Sequence, residues 1–147
     1  MQPQYLFVYG TLCSEFHSTQ SSVAQRVLQE SCQFIGPGHW TGKLFQISWY
    51  PAAVRASSGT VYGEIYKILN PKALPLLDQY EECASRDRER HEYERTLENI
   101  TLLNTHNQPT SELTAWMYVY RLSTEGLREI PSGNFITHSQ HSQPEIL

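Results

Sequence analysis

The sequence predicts a mixed α+β domain built on a mainly antiparallel, barrel-like sheet with helices packed against it. Three observations carry this. Five stretches read as strands and two as helices, and they do not follow the βαβα order that a parallel sheet requires. Aromatic residues make up 12% of the 147 residues, nine of them tyrosines, a composition that favours strands and lined pockets. Hydrophobic residues are 39% of the chain, with no internal repeat and no dividing linker. That suits one compact domain, set at residues 1–136, with 137–147 as a flexible C-terminal tail.

The first strand, "YLFVY" at residues 5–9, is an unbroken run of β-formers and reads as buried on both faces. Over residues 13–33 the period becomes helical. Val23, Ala24, Val27, Leu28 and Ser31 line one face, Ser18 and Thr19 offer caps, and Gly36-Pro37-Gly38 reads as a break. From residue 39 the period is two: "HWTGKLFQISW" is a strand, "YPAAV" a bend at Pro51, "SSG" at 57–59 a turn, and "TVYGEIYKI" the next strand. Asn70-Pro71 pairs a cap with a proline at a helix start, and the helix runs to about Cys83, with Pro75 expected to kink or delay it. "YERTLENITLL" and "LTAWMYVYRL" form two further strands around the polar turn "NTHNQPTSE", and "GLREIPSGNF" is irregular.

Charge and cysteine usage exclude several functions. The formal net charge is −4, so no nucleic-acid footprint is expected. In "RDRERHEYER" the four arginines (86, 88, 90, 95) are matched by Asp87, Glu89, Glu92 and Glu94, which reads as a solvated, ion-paired face and not as a phosphate patch. Cys13, Cys32 and Cys83 match no metal or redox spacing and point to a reducing compartment. Four residues before the first strand leave no room for a signal peptide, and no apolar run reaches the ~20 residues of a membrane span. The expectation is a soluble, cytoplasmic protein, a monomer or weak homodimer, without nucleic-acid or membrane partners.

The chemistry-bearing motifs are few. There is no phosphate loop, dinucleotide fingerprint, HExxH or GxSxG. His138 and His141 are closely spaced, but two ligands in a tail do not make a metal site, so none is expected. Cys13 and Cys83 flank candidate segments without an identifiable histidine partner and read as small buried thiols. In "ALPLLDQYEEC", Leu74, Leu77 and Glu81 share a helical face. A carboxylate on an apolar stripe is either a helix end reaching for water or a half-buried group poised for proton transfer. Periodicity leaves both open.

Fragments "FVYGTL", "YP" at Tyr50-Pro51, "GTVYGEIY", "LDQYEE" and "YER" occur in that order, and "IPSGNF" follows near the end. The chain resembles the γ-glutamylcyclotransferase-like superfamily, in particular its AIG2-like and γ-glutamylamine cyclotransferase branch, from about Tyr5 to Tyr120. The resemblance implies a small, closed or nearly closed barrel with flanking helices. It implies a substrate-binding turn at Tyr9, Gly10, Thr11 and Leu12, and an essential acid/base at Glu81. The implied reaction is release of 5-oxoproline from a small-molecule γ-glutamyl substrate, with no cofactor and no metal. Tyr118 or Tyr120 would supply walls or hydroxyl contacts. Glu82, Cys13 and Ser14 depart from the family pattern, Glu82 implying a later helix end and a more hydrated acid, and the charged insert "CASRDRERHE" would reshape the rim of the pocket. A non-catalytic binding or regulatory module on the same fold is the alternative, since function lives in the site and not in the barrel.

Overall fold

The computed structural model describes residues 4–10, 22–47, 50–82 and 93–142; the side chains at 22–23, 79–82 and 139–142 fall outside that description. Strand β1 (Gln4–Val8) is followed by helix α1 (Ser22–Ser31), the long strands β2 (Cys32–Gln46) and β3 (Pro51–Ile68), helix α2 (Ala73–Glu82), strands β4 (Tyr93–Leu103) and β5 (Pro109–Tyr120), the short β6 (Arg128–Glu129) and helix α3 (Phe135–Ser142). The sheet order is β3-β1-β5-β4-β2-β6, and an additional β3–β2 pairing closes five strands into a ring. All ladders are antiparallel except β1 with β5, where Leu6 faces Trp116. This is the α+β, mixed barrel-like sheet expected from the pattern.

Alternation along β1 sorts the core into two compartments. Phe7 and Tyr9 point into the barrel beside Trp40, Ile65, Ile100 and Met117. Leu6 and Val8 point outward, where Ala24 and Leu28 of α1 and Leu74 and Leu77 of α2 cover them. A period-two run whose both faces are apolar can only be satisfied by such a double burial.

Several boundaries differ from the sequence expectation. Gly36-Pro37-Gly38 does not break the chain but lies inside β2, at a register shift between Phe34 and Gly36. A Cβ at Gly38 would stand 2.9 Å from the Thr101 carbonyl oxygen and 2.6 Å from Ile65 Cδ1, so the glycine serves close strand approach and not a turn. "YPAAV" is likewise no bend: residues 51–55 ladder with residues 42–46 of β2. The "SSG" turn survives as an excursion, because the register jumps from Thr41↔Thr60 to Gly42↔Arg55 and leaves residues 56–59 outside the ladder. Pro75 occupies the third position of α2, where no intrahelical donor is needed, so the helix proceeds. Asn70 supplies the cap as predicted, its Oδ1 accepting from Lys72 N at 3.0 Å. β5 starts at Pro109, earlier than expected, because Asn104 Oδ1 closes a short turn on His106 N and Gln108 N. Helix α3 spans residues 135–142, into the segment assigned to the tail, and Phe135 is buried inside the barrel.

Two seams of the ring are thin among the described residues: β1 meets β5 at Leu6↔Trp116, and β2 meets β4 at Gly38↔Leu102 and His39↔Thr101. Among the described residues, the first part of β4 finds no second ladder partner. Side chains bridge it to residues 51–55 instead. The Tyr93 hydroxyl donates to the Pro51 carbonyl at 2.5 Å, and Arg55 Nη2 reaches Glu98 Oε2 at 2.8 Å and Thr96 Oγ1 at 3.3 Å. Glu98 Oε1 also accepts from Trp40 Nε1 at 3.2 Å.

Candidate active site

The strands converge on one end of the barrel. β1 and β5 run in parallel and finish there, β4 begins there with Tyr93 opposite Tyr120, and Pro51 opens β3 nearby. Gly10 ends the described part of β1's exit. A Cβ on it would come within 2.6 Å of Pro51 Cγ, so the residue must be glycine for the proline ring to lie against the backbone. This relates two fragments, "YGTL" and "YP", that lie forty residues apart.

Tyr9 is buried, at 6% exposure. Its hydroxyl donates to the Tyr118 carbonyl at 2.5 Å and accepts from Ala53 N at 3.4 Å. Among the described residues, β3 has no second ladder partner at Ala53, and the tyrosine oxygen satisfies that amide. Thr11, Leu12 and Cys13 lie outside the described residues.

Helix α2 starts beside the opposite end of the barrel, next to Ile68, which pairs with Gln4. By Asp78 it has reached the level of Arg95 and Tyr118, which face each other in the β4–β5 register. Asp78 accepts from Arg95 Nε at 2.8 Å and Nη2 at 3.1 Å, and from the Tyr118 hydroxyl at 2.6 Å. The Arg95 guanidinium also lies 4.4 Å over the Trp116 ring. A bidentate arginine fork stacked on an indole is a directional clamp. Glu81 lies three residues further on, in the last turn of α2, and its side chain is outside the described set. The helix therefore heads toward the end of the barrel that holds Tyr9 and Gly10.

Sequence reading overlooked Asp78 and misassigned Arg95. Arg95 does not join a solvated charge run; it crosses to α2, and its side chain is only 24% exposed. The available signal was the spacing of Asp78 and Glu81, which at i, i+3 share a helical face. Tyr118, expected as a wall or a hydroxyl contact, donates its hydroxyl to Asp78, and Tyr120 packs edge-on to Tyr93 with ring centres 5.7 Å apart. Among the described residues no cluster of three or more His, Cys, Asp or Glu side chains is arranged to hold a metal ion. His138 Nε2 lies 2.7 Å from Gln46 Oε1. No helix among the described residues is long and apolar enough to cross a membrane.

The model of the family described as gamma-glutamyl cyclotransferase, AIG2-like, matches residues 6–137. The γ-glutamylcyclotransferase family protein YtfP of Citrobacter rodentium is 38% identical over 99 residues, which is 67% of this chain and 71% of that protein. The solution structure of Escherichia coli YtfP superposes with a TM-score of 0.58 at 30% identity, covering 92% of this chain and 99% of that one. An AIG2-like protein from Mus musculus shares the fold with a TM-score of 0.70 at 21% identity, over 99% and 98% of the two chains. Against YkqA from Bacillus subtilis the TM-score is 0.67 at 22% identity, and 96% of this chain spans 42% of that longer protein. The family fragments, their order and the barrel that assembles them agree: the chain belongs to the AIG2-like γ-glutamyl cyclotransferase family.

Proposed function

We propose that the chain performs γ-glutamyl cyclotransfer, with Glu81 as general acid/base. The substrate is a γ-glutamyl amine or a small γ-glutamyl amino acid. Its own α-amine is the nucleophile: nitrogen attacks the γ-carbonyl carbon, the five-membered lactam 5-oxoproline closes, and the bond to the γ-nitrogen breaks to release the free amine. An intramolecular attack needs chiefly that the folded conformer be held. The remaining task is proton transfer. Glu81 takes a proton from the α-ammonium and returns one to the leaving amine, so no step calls for a metal or cofactor. Backbone amides of the Gly10–Leu12 turn stabilise the tetrahedral oxyanion.

The observation that carries this reading is the clamp on Asp78. It fixes α2 against β4 and β5 one turn before Glu81, on a helix directed to the barrel end where the Tyr9–Gly10 turn lies. The test is 5-oxoproline release from a panel of γ-glutamyl compounds by wild type and Glu81→Gln. Release should fall by about a hundredfold or more in the variant while ligand affinity stays within about tenfold. Full activity in Glu81→Gln removes this residue from the mechanism. Silence across the panel, with binding retained, favours a non-catalytic binding module.

A further inference from the structure

We propose that Tyr118 is a positioning residue that sets the separation between the two halves of the site, the Tyr9–Gly10 turn and the last turn of α2. The inference rests on the assignment of Glu81 above. One residue of β5 grips both halves from its two ends. Its side-chain hydroxyl donates to Asp78 Oδ1 at 2.6 Å, three residues before Glu81, and its backbone carbonyl accepts from the Tyr9 hydroxyl at 2.5 Å, next to Gly10. The span between helix and turn is therefore one tyrosine long and passes through no loop.

The grip is stiff. Tyr118 is buried at 5% exposure on a strand with neighbours on both sides, β4 and β1. The same Asp78 carboxylate is held from a second direction by Arg95, whose guanidinium is fixed over Trp116. A carboxylate held by three charge-assisted bonds leaves α2 little freedom to slide or rotate. Tyr118 acts through Asp78 and Tyr9, and touches no reacting atom. Its influence is on geometry, where a misplacement of about 1 Å can cost on the order of a hundredfold in rate.

The test is Tyr118→Phe, which keeps the ring and the carbonyl and removes only the hydroxyl. Tyr62→Phe, at an exposed tyrosine edge-on to His39, serves as control. For 5-oxoproline release, kcat should fall about tenfold in Tyr118→Phe with KM within about twofold, and Tyr62→Phe should match wild type. Amide exchange in the last turn of α2 should accelerate while that of α1 holds. Asp78→Asn should act in the same direction, with the double variant less than additive. A tyrosine that merely stabilises the fold would lower the folded fraction and leave kcat per folded molecule intact; that result overturns the proposal, as does unchanged exchange in α2. If wild type itself releases no 5-oxoproline, the cyclotransfer reading falls. Exchange then decides for Tyr118 alone: lost protection in α2 upholds its role, and retained protection ends it.

Discussion

Among the described residues, the Arg95–Asp78 and Arg55–Glu98 pairs both cross between elements of the barrel, and they do different work. Arg95 and Asp78 meet through two hydrogen bonds, with side chains 24% and 32% exposed, and share their surroundings with Tyr118 and Trp116. Arg55 and Glu98 meet through one, and the arginine is 57% exposed. The first fastens a helix to the barrel wall under the candidate site. The second spans the open seam between residues 51–55 and the start of β4. The two pairs carry the same charges but differ in the number of bonds and in how far the arginine stands in water, since Glu98 itself is only 13% exposed. These differences set the worth of an ion pair.

Four measurements, in order of expected size, test these contacts. The largest effect is expected at the clamp. A double-mutant cycle of Asp78→Ala and Arg95→Ala, followed by urea unfolding, should give a coupling of about 2 kcal/mol. The same cycle at the seam, Arg55→Ala with Glu98→Ala, should give about 0.5 kcal/mol and shrink further in 0.5 M salt, taken as roughly a Debye length of 4 Å. Equal couplings would dissolve the distinction.

Next in size is Gly10→Ala, which touches neither pair. Its methyl group would collide with the Pro51 ring, costing about 1 to 2 kcal/mol as overpacking does. Pro51→Ala should recover most of that loss in thermal melts. Without such rescue, the contact is not what requires glycine. A smaller effect separates the two roles of Glu98. Glu98→Gln keeps an acceptor for the buried Trp40 indole, so it should cost about 1 kcal/mol less than Glu98→Ala.

The smallest effect appears only at high pH. Burial pushes the Cys32 thiol from 9.0 up to about 11, with a backbone hydrogen bond at Leu69 partly opposing it. Because the folded value lies above the unfolded one, the folded chain favours the protonated thiol. Its contribution is complete below pH 9 and declines as pH rises through about 11. Wild type should therefore lose stability more steeply than Cys32→Ala across that window, while arginines stay charged and both ion pairs persist. Parallel pH curves would refute the burial of this thiol.

Much of the architecture was legible because local chemistry and tertiary demand agree. "YLFVY" reads as a doubly buried strand and is one, since five β-formers in a row have no face to give to water. Asn70-Pro71 announces α2, and "YERTLENITLL" matches β4 at both ends. The errors share a cause. Glycine and proline read as punctuation at 36–38 and 50–54, whereas in this barrel both stretches ladder into the sheet and Gly38 allows a close strand approach. The structure places the motif residues Tyr9 and Gly10 at the barrel end where β1 finishes; the clamp was not legible, because Arg95 sits in a charge run whose sum cancels.

Residue patterns alone establish the strand-rich class, the two-faced burial of β1, the start of α2 and the family to which the fragments belong. Each follows from periodicity, capping or ordered motifs, which act over a few residues. Long-range packing sets the rest: Gly10 answers to Pro51, Arg95 reaches across to Asp78, and Tyr118 ties helix to turn. Those choices depend on which strands stand side by side once the ring closes. No local pattern encodes that register.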